Sequence, residues 1–200
     1  RRQRQMCIRD RMITKGLDFD KVNLVGILNA DNMLNFPDFR AHERSFQLMA
    51  QVSGRAGRRQ GQGLVIIQTG NPQHPIIKQV VANDFESMYA NQIQERKVLL
   101  YPPFTRLINI TLKHRNEKNL RFAAHELAKA LRKNFGTRVL GPEAPIINRV
   151  QNQFIEAILI KLEKTLPLPK AKSVILDEIN RFKTYKPFSS IIVAPDVDPM

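Results

Sequence analysis

Two consecutive prolines, in the run Tyr101-Pro102-Pro103-Phe104, interrupt the chain near its midpoint. Neither can donate a backbone hydrogen bond, each holds φ near about −65°, and each pushes the preceding residue out of the helical region. No helix and no central strand can run through them. The helical spacing of IIKQVVANDFESMYANQIQERKVLL therefore ends there, as one helix or as two parted near Asn83–Asp84. A domain boundary is expected at 100–105, separating residues 12–100 from residues 101–200.

The first half reads as alternating strand and helix. VNLVGIL (22–28) is a short β-branched apolar run, the mark of a buried strand, and GLVIIQT (63–69) is another. Between them NADNMLNFPDF has loop chemistry. A helix follows from Asp38 as N-cap, with Leu48, Met49, Val52 and Ala56 on one side at 100° per residue. This rhythm predicts an α/β arrangement with a parallel sheet.

The second half has another rhythm. RLINITLKH (106–114) alternates as a half-buried strand. Residues 117–135 carry Leu120, Ala123, Ala124, Leu127 and Leu131 on one helical face, with Gly136 as the stop. GPEAP is a loop. QNQFIEAILIKLE (151–163) is a strand with a hairpin partner just before it, LPKAKSVILDEINRFK a helix, and FSSIIVAPDVDP a last strand. The sum is a small βαββαβ domain, the split-βαβ pattern.

Charge indicates the kind of partner. The net charge is +14, and residues 101–200 hold seventeen basic against nine acidic residues. Such an excess favours a polyanion, nucleic acid before membrane, since no strongly amphipathic basic helix stands out. Lys113, Arg115, Lys118 and Arg121 crowd one strand–helix unit and are the candidate phosphate contacts. A single cysteine, Cys7, excludes an internal disulfide and a cysteine-built metal site within this chain. No apolar run reaches the roughly 18 residues of a membrane-spanning helix.

The stretch QLMAQVSGRAGRR (47–59) is harder to explain as fold alone. On a continuing helix Gln51, Arg55 and Arg58 at i, i+4 and i+7 would share one face, with Gly54 and Gly57 beside them. Glycine within a helix costs up to about 1 kcal/mol relative to alanine. It would also let a phosphate or another backbone approach, and two guanidiniums with an amide suit a triphosphate. The alternative is a solvated helix end with C-cap glycines, which fits Gly57–Arg59 well.

Its context narrows the choice. Gln51-Val-Ser-Gly54-Arg55-Ala-Gly57-Arg58 resembles the QxxGRxGR motif VI of superfamily 2 helicases, and Lys15-Gly16-Leu17-Asp18 resembles the end of their motif V. Asn29-Ala30-Asp31, Pro37-Asp38-Phe39-Arg40, Glu43-Arg44 and the final Asp196-Val-Asp198-Pro199-Met200 resemble the PriA family of primosomal replication-restart helicases in particular. The resemblance covers residues 12–200. It implies the distal part of a RecA-like second lobe over 12–100, holding motifs V and VI, and a C-terminal domain over 101–200 that binds DNA and partner proteins.

The resemblance further implies ATP-driven 3′→5′ DNA unwinding, replication restart and primosome loading. Arg58 would be the arginine finger on the γ-phosphate, assisted by Arg55, with Gln51 near the attacking water. Gly16 and Asp18 would face the nucleotide. ATP with Mg²⁺ is implied, with the phosphate-binding loop and metal-binding carboxylates expected upstream of this sequence; this chain alone is expected not to hydrolyse ATP. Zn²⁺ is implied for the parent family, without ligands in this chain. Implied partners are branched or single-stranded DNA, single-stranded-DNA-binding protein and primosome proteins, for a bacterial cytoplasmic monomer. One departure stands out: the family's motif V opens with Gly-Thr-Gln, where this sequence has Arg9-Asp10-Arg11. Residues 1–11 are accordingly read as a non-native or disordered leader.

Other candidates carry bland expectations. The histidines at 42, 74, 114 and 125 lack ligand spacing. Tyr101 and Phe104 are expected to pack at a hinge, Arg59 to be a solvated bystander, and Asp196 and Asp198 to lie in a solvated acidic tail.

Overall fold

The computed structural model describes residues 5–7, 23–54, 56 and 63–199. The chain divides between Glu95 and Arg96 into two compact units. The division falls a few residues ahead of the proline pair.

The N-terminal unit is a three-stranded parallel sheet in the order β1 (Gln5–Cys7), β2 (Leu24–Ile27), β3 (Leu64–Ile67). Gln5–Cys7 lies inside the stretch read as a non-native or disordered leader, yet it pairs in register with Leu24–Gly26. Three residues between arginines have no period from which a strand could be read. The segment read as loop after β2 contains a short helix, α1 (Ala30–Leu34). Asn29 enters it in the left-handed region at φ 52°, and Ala30 and Leu34, one turn apart, are buried. Then come α2 (Ala41–Ser53), α3 (Pro75–Ala82) and α4 (Phe85–Val98), with α3 and α4 parted at Asn83.

Val25, Ile27, Phe46, Met49, Val52 and Ile76 form part of one core, with Val65 and Ile67 against it. The expectation of β3 as a fully buried strand is corrected. Its burial alternates, and Leu64 and Ile66 are exposed on the opposite face. Asp38 is likewise not the N-cap of α2. Its carboxylate accepts from the Arg40 amide at 2.9 Å and from Arg44 Nη1 at 2.7 Å, so it braces the turn before the helix.

The C-terminal unit is βαββαβ. Its elements are β4 (Thr105–His114), α5 (Glu117–Phe135), β5 (Val139–Glu143), β7 (Gln153–Glu163), α6 (Leu168–Thr184) and β8 (Ile192–Val197), with a two-residue β6 (Arg149–Val150) paired to β7. The antiparallel order β5-β7-β4-β8 is the split-βαβ topology. Ile108, Ile110 and Leu112 of β4 and Ile158, Ile160 and Leu162 of β7 meet Leu120, Leu127 and Leu131 of α5 in one core. Each fully buried Leu or Ile there contributes roughly 1.5–3 kcal/mol. At Gly141, φ is +86° and an added Cβ would stand 2.8 Å from the Ala157 carbonyl oxygen, so only glycine fits that bulge in β5.

The last strand is more than a solvated acidic tail. Asp198 donates its N–H to the Leu107 carbonyl at 2.8 Å, and its carboxylate accepts the Leu107 N–H at 3.3 Å, closing the β4–β8 ladder. Pro195 sits within β8 opposite Ile110. Tyr101 packs within the C-terminal unit: Lys161 Nζ lies 3.7 Å from its ring centroid and donates to the Leu99 carbonyl at 2.7 Å. Burial of Lys161 there lowers its pKa.

His74 caps α3, its Nδ1 accepting from the Ile76 amide at 3.2 Å, which requires the neutral ring with its proton on Nε2. Desolvation and neighbouring His42 lower its pKa, opposed by Asp31. The unfolded chain then binds more protons, so this contribution is full above about pH 6.5 and is lost as pH falls. We expect the N-terminal unit to lose stability from pH 7 to pH 5. His74→Asn, which keeps an acceptor at the cap, should flatten that dependence in urea titrations.

Candidate functional site

Two regions carry the residues singled out by the sequence. In the N-terminal unit Gln51 lies exposed on the last turn of α2. The helix ends at Ser53, with Gly54 as its C-cap. Arg55, Arg58, Arg59, Gly57, Gly16 and Asp18 lie outside the described residues.

Gly54 itself is informative. Its φ is −65° and ψ −2°, and an added Cβ would meet the Ala50 and Gln51 carbonyl oxygens at 3.6 and 3.7 Å, ordinary contact distances. Among the described residues alanine would therefore fit, and neither its φ nor any of these neighbours requires glycine there.

The loops after β2 and β3 are locked to each other near the C-terminal ends of the strands. Asp31 accepts from Thr69 Oγ1 at 2.5 Å and from the Gly70 amide at 2.7 Å. The Thr69 hydroxyl, then the Gly70 amide, hold the Asp31 carboxyl below its ordinary pKa. Sequence reasoning treated Asp31 only as part of a resemblance. The contact spans thirty-eight residues, which no local pattern encodes.

In the C-terminal unit the four candidate phosphate contacts separate. Lys113 is the last residue but one of β4, opposite Ile155 of β7 and Ile192 of β8. Arg115 and Lys118 are exposed at the entry to α5, where Asn116 Oδ1 accepts the Asn119 amide at 3.0 Å as N-cap. His114 steadies this corner. Its Nδ1 lies 3.1 Å from the Asn116 amide nitrogen and 3.2 Å from the Asn116 carbonyl oxygen, and its Nε2 lies 3.2 Å from Ser190 Oγ. Lys113, Arg115 and Lys118 form no ion pair among the described residues.

Arg121 differs. It bridges Glu117 at 2.9 Å and the buried Glu156 at 3.7 Å, so its charge is compensated within the fold. Arg132 and Arg138 are also engaged, by the Gly141 carbonyl and by Glu163 respectively. Glu156 was not singled out by the sequence, because it sits at an inward position of a strand that otherwise alternates cleanly. Among the described residues no cluster of three or more His, Cys, Asp or Glu side chains could hold a metal ion.

Sequence comparison gives the family of the chain. Residues 97–200 match the family described as the primosomal protein N C-terminal domain, and the chain belongs to that family. It is similar to replication restart protein PriA of Treponema pallidum (strain Nichols), 41% identical over 192 residues, covering 94% of this chain and 28% of the relative. The Bacillus subtilis (strain 168) protein of the same name is 37% identical over 190 residues, covering 94% of this chain and 23% of the relative. The Synechocystis protein of that name is 36% identical over 204 residues, covering 100% of this chain and 23% of the relative. The chain thus spans about a quarter of the length of the curated relatives it matches.

Burial raises the Glu156 pKa, with Arg121 and His125 opposing and Glu117 reinforcing the rise. A carboxyl raised in the fold favours folding at low pH and loses that advantage as pH increases. Glu156→Gln should therefore be more stable than wild type at pH 7 and indistinguishable below about pH 4 in thermal melts, since both side chains are then neutral. Arg121→Ala should be destabilising by about 1–3 kcal/mol at pH 7, because it removes the nearest cation from a buried acid.

Proposed function

We propose that residues 12–100 form the distal part of a RecA-like second lobe of an ATP-dependent 3′→5′ DNA helicase, and residues 101–200 its DNA- and partner-binding domain. The parent protein restarts stalled replication forks and loads the primosome in the bacterial cytoplasm, acting as a monomer with single-stranded-DNA-binding protein and primosome proteins. The observation that carries this reading is the similarity to replication restart proteins over 94–100% of the chain. No described helix is long and apolar enough to cross a membrane.

In this reading ATP with Mg²⁺ is the substrate, and its hydrolysis supplies the free energy for unwinding. Residues 1–200 contain no GxxxxGK[ST] loop, so the site is completed by residues outside this sequence. Gly16 and Asp18 face the nucleotide, Gln51 orients the attacking water, and Arg55 and Arg58 neutralise charge developing on the transferred phosphoryl group. Exposed Gln51 beside a glycine that no described residue crowds supports a close approach at that helix end. The family's zinc finds no match here: Cys7 is the one cysteine, and no step is assigned to a metal of this chain.

An arginine finger is worth roughly 10³–10⁵ in rate. In the longer protein Arg58→Lys, which keeps charge but loses the bidentate fork, should lower DNA-stimulated ATP hydrolysis by about that factor. Activity within about threefold of wild type would overturn the assignment. Gly54→Ala should leave folding stability within about 1 kcal/mol of wild type while impairing ATP hydrolysis.

A second reading is favoured by the cations at the β4–α5 corner that have no ion pair among the described residues: a non-enzymatic nucleic-acid-binding module, in which Lys113, Arg115 and Lys118 follow phosphates and Arg121 supports them. Restoration of ATPase on adding the upstream portion separates the two readings. DNA affinity of the 200-residue chain should fall with salt. Lys118→Ala should reduce the log–log slope by roughly 0.7–0.9, the share of one phosphate contact. An affinity indifferent to salt would remove nucleic acid from the reading.

A further inference from the structure

We propose that the C-terminal unit carries a stacking platform for unpaired nucleic-acid bases, built from Phe122 and Tyr185 on a buried Phe188 and continuous with Lys118 and Lys186. It rests on the reading of the β4–α5 corner as a DNA contact, and it adds a base-binding surface to a phosphate-binding one.

Phe122, on α5, is 59% exposed, and Tyr185, just after α6, is 58% exposed, whereas Phe188 between them is 6% exposed. The Phe122 and Phe188 rings are 5.9 Å apart between centroids, and the Tyr185 and Phe188 rings 4.9 Å apart, edge to face. Phe182 stacks on Phe188 at 4.7 Å from the core side. Phe182 and Phe188 thus meet the needs of packing, while two further rings are held at the surface with more than half of each in solvent. Aromatic rings fixed in this way suit a π-faced ligand.

The surroundings give the ligand its charge. Lys118 lies one helical turn before Phe122, and Lys186 follows Tyr185 in sequence. The segment 186–190 is tied to the start of α5 by Asn119 Nδ2, which reaches the Pro187 carbonyl at 3.5 Å, and by the bond between Ser190 and His114. These contacts bring both lysines and both rings to one corner of the unit. Lys118 and Lys186 are exposed and form no ion pair among the described residues. Arg121, next to Phe122, is drawn away by Glu117 and Glu156. Flat apolar faces between uncompensated cations match a single strand, which offers a base face and a phosphate at each step. An acidic peptide would use the lysines and leave the rings idle.

The chain has three tyrosines and no tryptophan, so its fluorescence can be reduced to one reporter. In a Tyr89→Phe, Tyr101→Phe background, Tyr185 emission should be quenched by oligothymidylate and not by an abasic oligomer of equal length. Phe122→Leu and Tyr185→Leu, which keep apolar bulk, should each weaken oligothymidylate binding about tenfold while changing abasic binding less than about twofold. Lys118→Ala should weaken both. Equal effects of the ring substitutions on the two oligomers, or none on either, would overturn the platform and leave the phosphate contact standing. Failure of the unsubstituted chain to bind either oligomer would instead remove the DNA reading on which the platform rests.

Discussion

The C-terminal unit depends on one contact: the apolar stripe of α5 laid across the inward residues of β4 and β7. Leu120, Leu127 and Leu131 meet Ile110, Ile158 and Ile160, and every one of the six is 0% exposed. Interiors packed to this degree have little slack, so the ends of these elements are set as firmly as their middles. The corner where β4 turns into α5 is consequently a rigid mount. Lys113, Arg115 and Lys118 are held there by a scaffold rather than by a loose loop, and His114 and Asn116 take up the backbone groups that the turn leaves over.

That scaffold also decides which charges remain available. Glu156 takes an inward position on β7 and draws Arg121 toward itself, so a residue that looks like surface charge in the sequence serves the fold. The basic excess of this half is therefore not evenly usable. Arginines facing carboxylates or carbonyls are occupied, and the lysines near the start of α5 and the end of α6 are left to interact outward.

The second unit was legible in the sequence because both of its periods were clean. Alternation in 106–114 and the 3.6-residue spacing of 117–135 each left one face unambiguous. The N-terminal unit was less so. The short apolar run of β3 looks the same whether one or both faces are covered, and α1 is too short to show a period. The helix carrying Gln51 ends two residues beyond it at Ser53, an end that the letters alone do not mark. The resemblance of 51–58 to a helicase motif rests on residue types and their order along the chain. The aromatic corner was not, since Phe122 and Tyr185 are sixty-three positions apart and meet only through Phe188.

Pro195 interrupts the last strand at a place where an interior strand could not tolerate it. β8 stands at one end of the described sheet order, so the amide that proline lacks is one no neighbour in the sheet needs. An edge of this kind, with exposed Ile192 and a row of backbone groups, invites a second chain to add itself as another strand. Proline followed by Asp196 interrupts that row and adds a charge. The strand that completes the domain thus also guards it against self-association during folding, when its partner-seeking edge is most open to other chains.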